Sequence, residues 1–411
     1  MTYLIALAFS PFTNDVFMLI KLLVISAGLI FTKTVWRNEP INYLGLGLIG
    51  CSILTAYTSG LHSLNLIGNY NSYFCGTLTL VLIWLGYCSI VERERLINSI
   101  IWSAAICGLI CVLQQFGPSQ FQQNHRSIGT IGNPTFCATL LTLGFGLTGP
   151  TIPGLLILLG IMATKTRGAY LAITAIFLYK NKSILNPKRI LLISALLIAG
   201  LISYSQLMHK SESDFGRLET YRIALKAWTH HPIIGCGSEA FYVHFRNLRS
   251  AEFVKQFGKR TLQDYAHNDI IHVLYSWGII GIAIYLSLLR YLWKQASDIR
   301  LQSAIIGVFI CAKFNAVPIV TLFLLAQLCS TFSKTDPESD SIFSVFYKHF
   351  IFLLKVALFV FTCKLFIADL FFFNSFYLKE PKKQRMMYIA TKINPYEPFY
   401  RNTYSLSYGS K

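Results

Sequence analysis

Charge is what this sequence has least of. Asp, Glu, Lys and Arg together make up 13% of its 411 residues, while hydrophobic residues make up 54%. A water-soluble chain carries about 25% charged residues, so a soluble enzyme of this length is excluded. Acid is scarcer still: 18 Asp and Glu stand against 36 Lys and Arg, a formal net charge of +18. No RNA-binding signature and no basic helix with interleaved aromatics accompanies that excess, so nucleic acid is not an expected partner. Basic cytoplasmic loops and the anionic headgroups of membrane lipids account for it. The ten cysteines form no CxxC pair and no Cys/His zinc spacing. Cys107 and Cys111 stand one helical turn apart, nearly all the cysteines lie inside apolar runs, and only Cys236 falls in a long polar stretch. They read as small apolar packing residues, and no metal is expected. The first residues, MTYLIALAFSPFTND, lack a basic n-region and an A-x-A site, and read as a retained segment.

What the sequence does have is apolar length. Runs such as LINSIIWSAAICGLICVLQQFG approach or exceed the roughly 18 residues that cross a bilayer. They are continuously apolar, whereas barrel strands alternate. The expected fold is therefore all-α and polytopic, with about 12 to 13 transmembrane helices. The spans fall at 2–12, 16–35, 41–60, 72–91, 96–116, 133–149, 151–165, 168–180, 188–206, 268–293, 301–315, 317–333 and 346–373. The first is short enough to be re-entrant. The gaps carrying Lys33 and Arg37, Arg93 and Arg95, Lys180 to Arg189, and Arg290 to Arg300 all fall on one face, which is then cytoplasmic. The N-terminus lies inside, and residues 117–132, 165–167 and 207–267 lie outside. The expected organisation is a helix bundle over 1–206, a large outer loop over 207–267, further membrane helices over 268–373, and an outer tail over 374–411.

In the large loop, FGRLETYRIALKAWTHHP reads as a helix ended by Pro232, with Leu218, Tyr221, Ala224, Leu225 and Trp228 on one apolar face that could lie on the membrane surface. IIGCGSEAF follows as a turn punctuated by Gly235 and Gly237. The tail reads as one short helix followed by a proline-rich extended piece.

Polar groups gather at the predicted outer face in four places. NHRSIGTIGNPTF (124–136) approaches a helix start, with Asn133 as its cap and Arg126 as an anion contact; a plain turn into a helix is the alternative. TKTRGAYLA (164–172) crowds Lys165 and Arg167, beside Gly168, between two apolar segments; snorkelling is one reading and anion binding the other, because a planar guanidinium grips two phosphate oxygens at once. Arg217 and Arg222 are five apart, so they do not share a helical stripe and at least one faces water. In DYAHNDIIHVLYSWGIIG (264–281), His267 and Asn268 stand where a polar head meets an apolar run; His267 is either a helix cap or a proton-transfer group.

Taken together, these stretches resemble the O-antigen ligase and O-antigen polymerase superfamily of bacterial membrane glycosyltransferases. GTIGNPTFCATLL resembles its Gly-Asn-Pro segment, TRGAYLAI its Arg-Gly helix start, GRLETYRIALKAWTHHPIIGCG its Arg-led helix ending in His-Pro-Leu-x-Gly-x-Gly, and AHNDIIHVLYSWGIIG its His-Asn segment. Two positions depart: His272 and Ser276 stand where the family usually has Gln and Glu. The resemblance implies a GT-C-like helical architecture in the bacterial cytoplasmic membrane. It implies transfer of a glycan from a polyprenyl diphosphate to an acceptor hydroxyl on the periplasmic face. The acceptor would be lipid A–core, another glycan or a protein, and no cofactor would be required. In that reading His267 activates the acceptor, Arg167, Arg217 and Arg222 hold the diphosphate, and Arg126 and Lys165 assist. A transporter and a catalytically dead scaffold are the rival readings; a transporter should show broken or charged helices near the bilayer midplane.

Overall fold

The computed structural model describes residues 2–13, 15–68, 76–118, 122–183, 211–259, 261–333 and 342–408. The expected span at 188–206 lies outside them. The first nine helices are α1 (Thr2–Leu7), α2 (Met18–Phe31), α3 (Pro40–Thr58), α4 (His62–Ile67), α5 (Thr77–Cys88), α6 (Arg93–Phe116), α7 (Pro134–Leu147), α8 (Ile152–Thr164) and α9 (Arg167–Lys180). The large loop supplies α10 (Ser211–Trp228), α11 (Phe241–Leu248) and α12 (Ala251–Phe257). Then come α13 (Asp269–Gln295), α14 (Ile299–Ala312), α15 (Ile319–Ser330) and α16 (Ile342–Ser375), and the tail forms α17 (Lys382–Ile393) and α18 (Pro398–Tyr408).

The chain is an all-α polytopic membrane protein. Among the described residues, Pro40–Thr58, Arg93–Phe116, Asp269–Gln295 and Tyr347–Ser375 are long and apolar enough to cross a membrane, and six shorter apolar helices pack with them. Asparagines start the two helices that matter most to the site. Asn133 Oδ1 accepts from the amides of Thr135 and Phe136, with Pro134 as the first residue of α7. Asn268 Oδ1 accepts from those of Ile270 and Ile271 at the start of α13. Each satisfies amides that a helix start leaves without partners.

Two expectations need correction. The span at 268–293 is not a continuous helix. Gly278 has φ 63° and ψ −158°, which breaks α13. The turn after Pro232 fills the break. Gly237 and Cys236 amides donate to the carbonyls of Ser276 and Tyr275, at 3.0 and 2.8 Å. In return, the amides of Ile279 and Ile280 donate to the carbonyls of Pro232 and Ile233, at 2.9 and 3.3 Å. A Cβ on Gly278 would stand 2.3 Å from the Ile233 oxygen, and one on Gly235 2.4 Å from the Ser276 carbonyl, so the two backbones meet only where side chains are missing. On α10, the apolar stripe and the packed face overlap only at Ala224. Leu218 and Leu225 are exposed, while Thr220, Ile223, Ala224 and Ala227 are buried. Ile223, Ala224 and Ala227 join Phe241, Phe245, Phe253, Ala266 and Tyr275 in one apolar cluster, which ties the loop to α13. Second, the proline-rich end of the tail forms α18 rather than an extended piece: Pro398 opens the helix, where its missing amide costs nothing.

Candidate active site

The stretch before α7 folds into a hairpin. Gln122 pairs with Ser127 and Gln123 with Arg126, and the turn residues Asn124 and His125 both have positive φ, 52° and 57°. Two such residues in succession make the tight turn whose twist matches that of the paired strands. The hairpin forms one wall of a cleft of about 260 Å³. Gln123, Asn124, Arg126, Asn133 and Thr135 line it from that side, Gly216 and Arg217 from α10, Phe253 and Phe257 from α12, and Gln263, His267 and Asn315 from the remaining loops. Stretches far apart in sequence thus meet at one polar opening.

His267 has a φ of 55°, a strained value for a residue with a side chain. Its Nε2 donates to Gln263 Oε1 at 3.0 Å. That bond leaves the lone pair on Nδ1, which is buried and makes no hydrogen bond of ordinary geometry among the described residues. Burial and then the nearby Arg217 charge push the ring down to about 4, against the opposing pull of Asp264 and the Asn315 carboxamide. The ring is therefore neutral at neutral pH, the form that accepts a proton.

Arg217 is itself pushed down, first by burial and then by Arg167. Both guanidinium groups face the Asp214 carboxylate. Arg167 Nη2 stands 2.7 Å from Oδ1 and Arg217 Nη1 3.7 Å from the same oxygen. Arg126 lines the cleft while its Nε and Nη2 donate to the Thr164 carbonyl and the Thr166 hydroxyl, both at 2.9 Å. It thereby holds the Arg167 helix start against the hairpin.

Two of the expected cations are engaged elsewhere. Arg222 lies beyond the cleft lining, bound to both oxygens of Glu219 and, at 2.7 Å, to the Leu248 carbonyl. Lys165 donates to the His125 carbonyl at 2.9 Å and, as the left-handed residue that caps the end of α8, bonds the hairpin from outside. Gly168 makes room for the Phe314 ring, which would stand 3.0 Å from an added Cβ. Pro232, Gly235 and Gly237 serve the break in α13. His272 is buried and stacks on Tyr265, ring centroids 3.9 Å apart, with Nδ1 accepting from the Ala266 amide at 3.5 Å. It supports the chain just before His267. Ser276 is buried beneath the Gly235–Gly237 turn and its hydroxyl has no hydrogen bond among the described residues. Both departures from the family pattern are therefore packing positions here, behind the cleft.

Gln263, Asn315, Gln123 and Asp214 are site residues that sequence reading missed. Each is a lone polar residue in a loop or at a helix edge, with no spacing to mark it.

Next to the polar cleft lies an apolar cavity of about 240 Å³. Its walls include Leu48, Trp84, Val273, Trp277 and Leu288, and Tyr265 and Asp269 belong to its lining. These two residues flank His267 in the chain. Asp269 is held by an ion pair with Lys313 and a hydrogen bond from the Tyr285 hydroxyl.

Residues 152–286 match the family model described as O-antigen ligase, and the match supports the superfamily that the motifs resemble. Arg167, Arg217 and His267 fall inside the matched segment, while the hairpin with Arg126 precedes it. No curated protein matches the chain. The family supports a membrane glycan-transfer enzyme in polysaccharide assembly.

Proposed function

From a chain whose central segment it shares with the O-antigen ligases, we propose that this protein transfers a glycan from a polyprenyl diphosphate to an acceptor hydroxyl at the periplasmic face of the cytoplasmic membrane. The observation that carries the reading is the shared cleft of His267 and Arg217, with an apolar cavity beside it. A lipid diphosphate needs that pairing of surfaces. Its polyprenyl chain fits apolar walls, and its leaving diphosphate needs fixed cations.

Arg217, with Arg167 and Arg126, holds the diphosphate. His267 Nδ1 takes the proton of the acceptor hydroxyl as its oxygen attacks the anomeric carbon, while the bond to the diphosphate oxygen breaks. A single displacement inverts the anomeric configuration. A product with retained configuration overturns the single-step route.

The base would be weak in the resting cleft, since its proton affinity is held down by burial and Arg217. A bound diphosphate offsets the Arg217 charge and raises that affinity when the substrate is present. The acceptor is lipid A–core for a ligase, a further repeat unit for a polymerase and a protein for an O-glycan ligase; all three use the same donor chemistry.

The break in α13 is the feature a transporter would also need, but its free amides and carbonyls are bonded to residues 232–237 rather than presented to a solute. The test is complementation of a deletion strain with wild type or His267→Ala at matched membrane levels. Loss of surface glycan with accumulation of lipid-linked donor in the variant is the expected outcome. Equal restoration overturns the assignment of His267.

A further inference from the structure

Three cysteines from two helices meet under the hairpin. Cys107 and Cys111 lie one turn apart on α6, and Cys137 lies one turn into α7. Cys137 Sγ stands 3.5 Å from Cys107 Sγ and 3.4 Å from Cys111 Sγ, and all three sulfurs fall within 4.8 Å of one another. All three residues are fully buried. Among the described residues this is the one group of three side chains placed to share a metal ion.

The backbone above the sulfurs closes on them at a glycine. Gly129 has φ 56°, and a Cβ placed on it would lie 2.5 Å from Cys137 Sγ, 2.9 Å from Cys107 Sγ and 3.1 Å from Cys111 Sγ. The three sulfurs thus converge on the bare face of Gly129, which leaves no room for a side chain there. Sulfur edges around a zinc ion with bonds of about 2.3 Å measure roughly 3.8–4.0 Å, so small side-chain rotations suffice.

Charge points the same way. Lys21 is completely buried and donates to the Thr130 carbonyl at 2.8 Å, and to that of Ala8. Thr130 Oγ1 is in turn 3.4 Å from Cys107 Sγ. A divalent ion with three thiolates carries one negative charge, and the Lys21 ammonium beside it balances that charge.

We propose that Cys107, Cys111 and Cys137 form a thiolate site for a divalent d10 cation, zinc in the cell. Binding replaces three S–H bonds by three metal–sulfur bonds and releases three protons; nothing is oxidised or reduced. The ion joins α6 to α7 beneath residues 126–133 and so fixes the floor that carries Arg126 and Asn133. It does not touch the polar cleft and takes no part in the transfer step.

The site is tested on the full chain in detergent, purified without chelator or reductant. Elemental mass spectrometry is expected to find one zinc per chain in wild type and in Cys329→Ser, a buried cysteine elsewhere. Cys137→Ser and Cys107→Ser should lose at least about tenfold in affinity. Titration of metal-stripped wild type with cadmium should give the ultraviolet thiolate-to-metal charge-transfer band of three sulfurs, which keeps the test independent of how the variants fold. Two results overturn the site. One is stripped protein that gives no such band. The other is mass spectra of unreduced protein showing Cys137 in a disulfide with Cys107 or Cys111. Both readouts are independent of glycan transfer.

Discussion

Arg167 and Arg217 approach the same oxygen of Asp214, from 2.7 and 3.7 Å. They come from different helices, and a single half-exposed carboxylate keeps two like charges side by side. The carboxylate stands where an anionic ligand would be held. Asp214→Asn should therefore tighten inorganic pyrophosphate binding. An exposed pair of this kind is worth about 0.2–1 kcal/mol, so the gain is about 1.5- to 5-fold by calorimetry on the purified protein. Unchanged or weaker binding would mean that the carboxylate organises the arginines rather than competing for them.

The His267 ring, pushed down to about 4 by burial and Arg217, stays neutral from pH 5 to 8. Wild-type kcat/KM, which reports the free enzyme, should fall only as the pH drops toward 4, where the base is inactivated by protonation, and the corresponding limb of kcat should lie higher because bound diphosphate offsets Arg217. Arg217→Gln removes a charge that lowers the ring and should move that limb to higher pH. His267→Ala should lower the rate by about 10²–10⁴-fold, the usual worth of a general base. A pH profile on a lipid-linked donor reads all three.

Glu219 and Arg222 form a clamp outside the cleft. Glu219 Oε1 accepts from the Ser250 amide at 2.6 Å while both its oxygens hold Arg222, which reaches on to Leu248. Glu219→Ala should destabilise the loop by about 1–3 kcal/mol, through a polar group left without its partner. Thermal melting in detergent measures it. Arg222→Ala should lower stability and leave pyrophosphate affinity unchanged; a fall in affinity at full stability would return Arg222 to the diphosphate site.

The tail docks through acids. Asp369 accepts from the Tyr400 hydroxyl at 2.6 Å and from the Asp15 amide at 2.9 Å. Burial pushes Glu397 up to about 7 and Asp15 up to about 6, and Asp369 adds repulsion to each. The docked tail keeps the Glu397 proton after the released tail has lost it, so docking is strongest at about pH 4 or below. It weakens as the pH rises through about 4 to 7, then levels off. Hydrogen exchange over 382–408 should quicken across that window beyond the intrinsic rate, and Glu397→Gln should flatten the change.

Apolar length was enough to place most helices, because a bilayer accepts little else. The caps at Asn133 and Asn268 were legible too, since a short polar side chain before an apolar run has few other uses. Other features depend on contacts that no local pattern records. WGIIG looks like ordinary membrane helix, and nothing in it shows that Gly278 leaves the helical region to meet Pro232 and Ile233. Glu219 and Arg222 have helical spacing, yet spacing does not say which way the pair turns. On α10, hydrophobicity marked Leu218 and Leu225, but the packed face uses Thr220 and Ala227, whose small size lets the helix approach its neighbours. Cys137 is separated from Cys107 by a whole loop, so the sequence showed two of the three sulfurs as a pair without a partner.

The filled break in α13 also bears on how the protein is made. The nine residues from Asp269 to Trp277 rise only about 13 Å as a helix, far less than the hydrocarbon core. The seventeen residues after Gly278 supply most of the crossing length, about 26 Å. The shorter piece completes its backbone bonding against residues 232–237, which leave the ribosome earlier. With the loop on the periplasmic face, as proposed above, this membrane helix is finished only after the loop has crossed. A lesion in the loop would then be read out by the cell as a defect in membrane insertion.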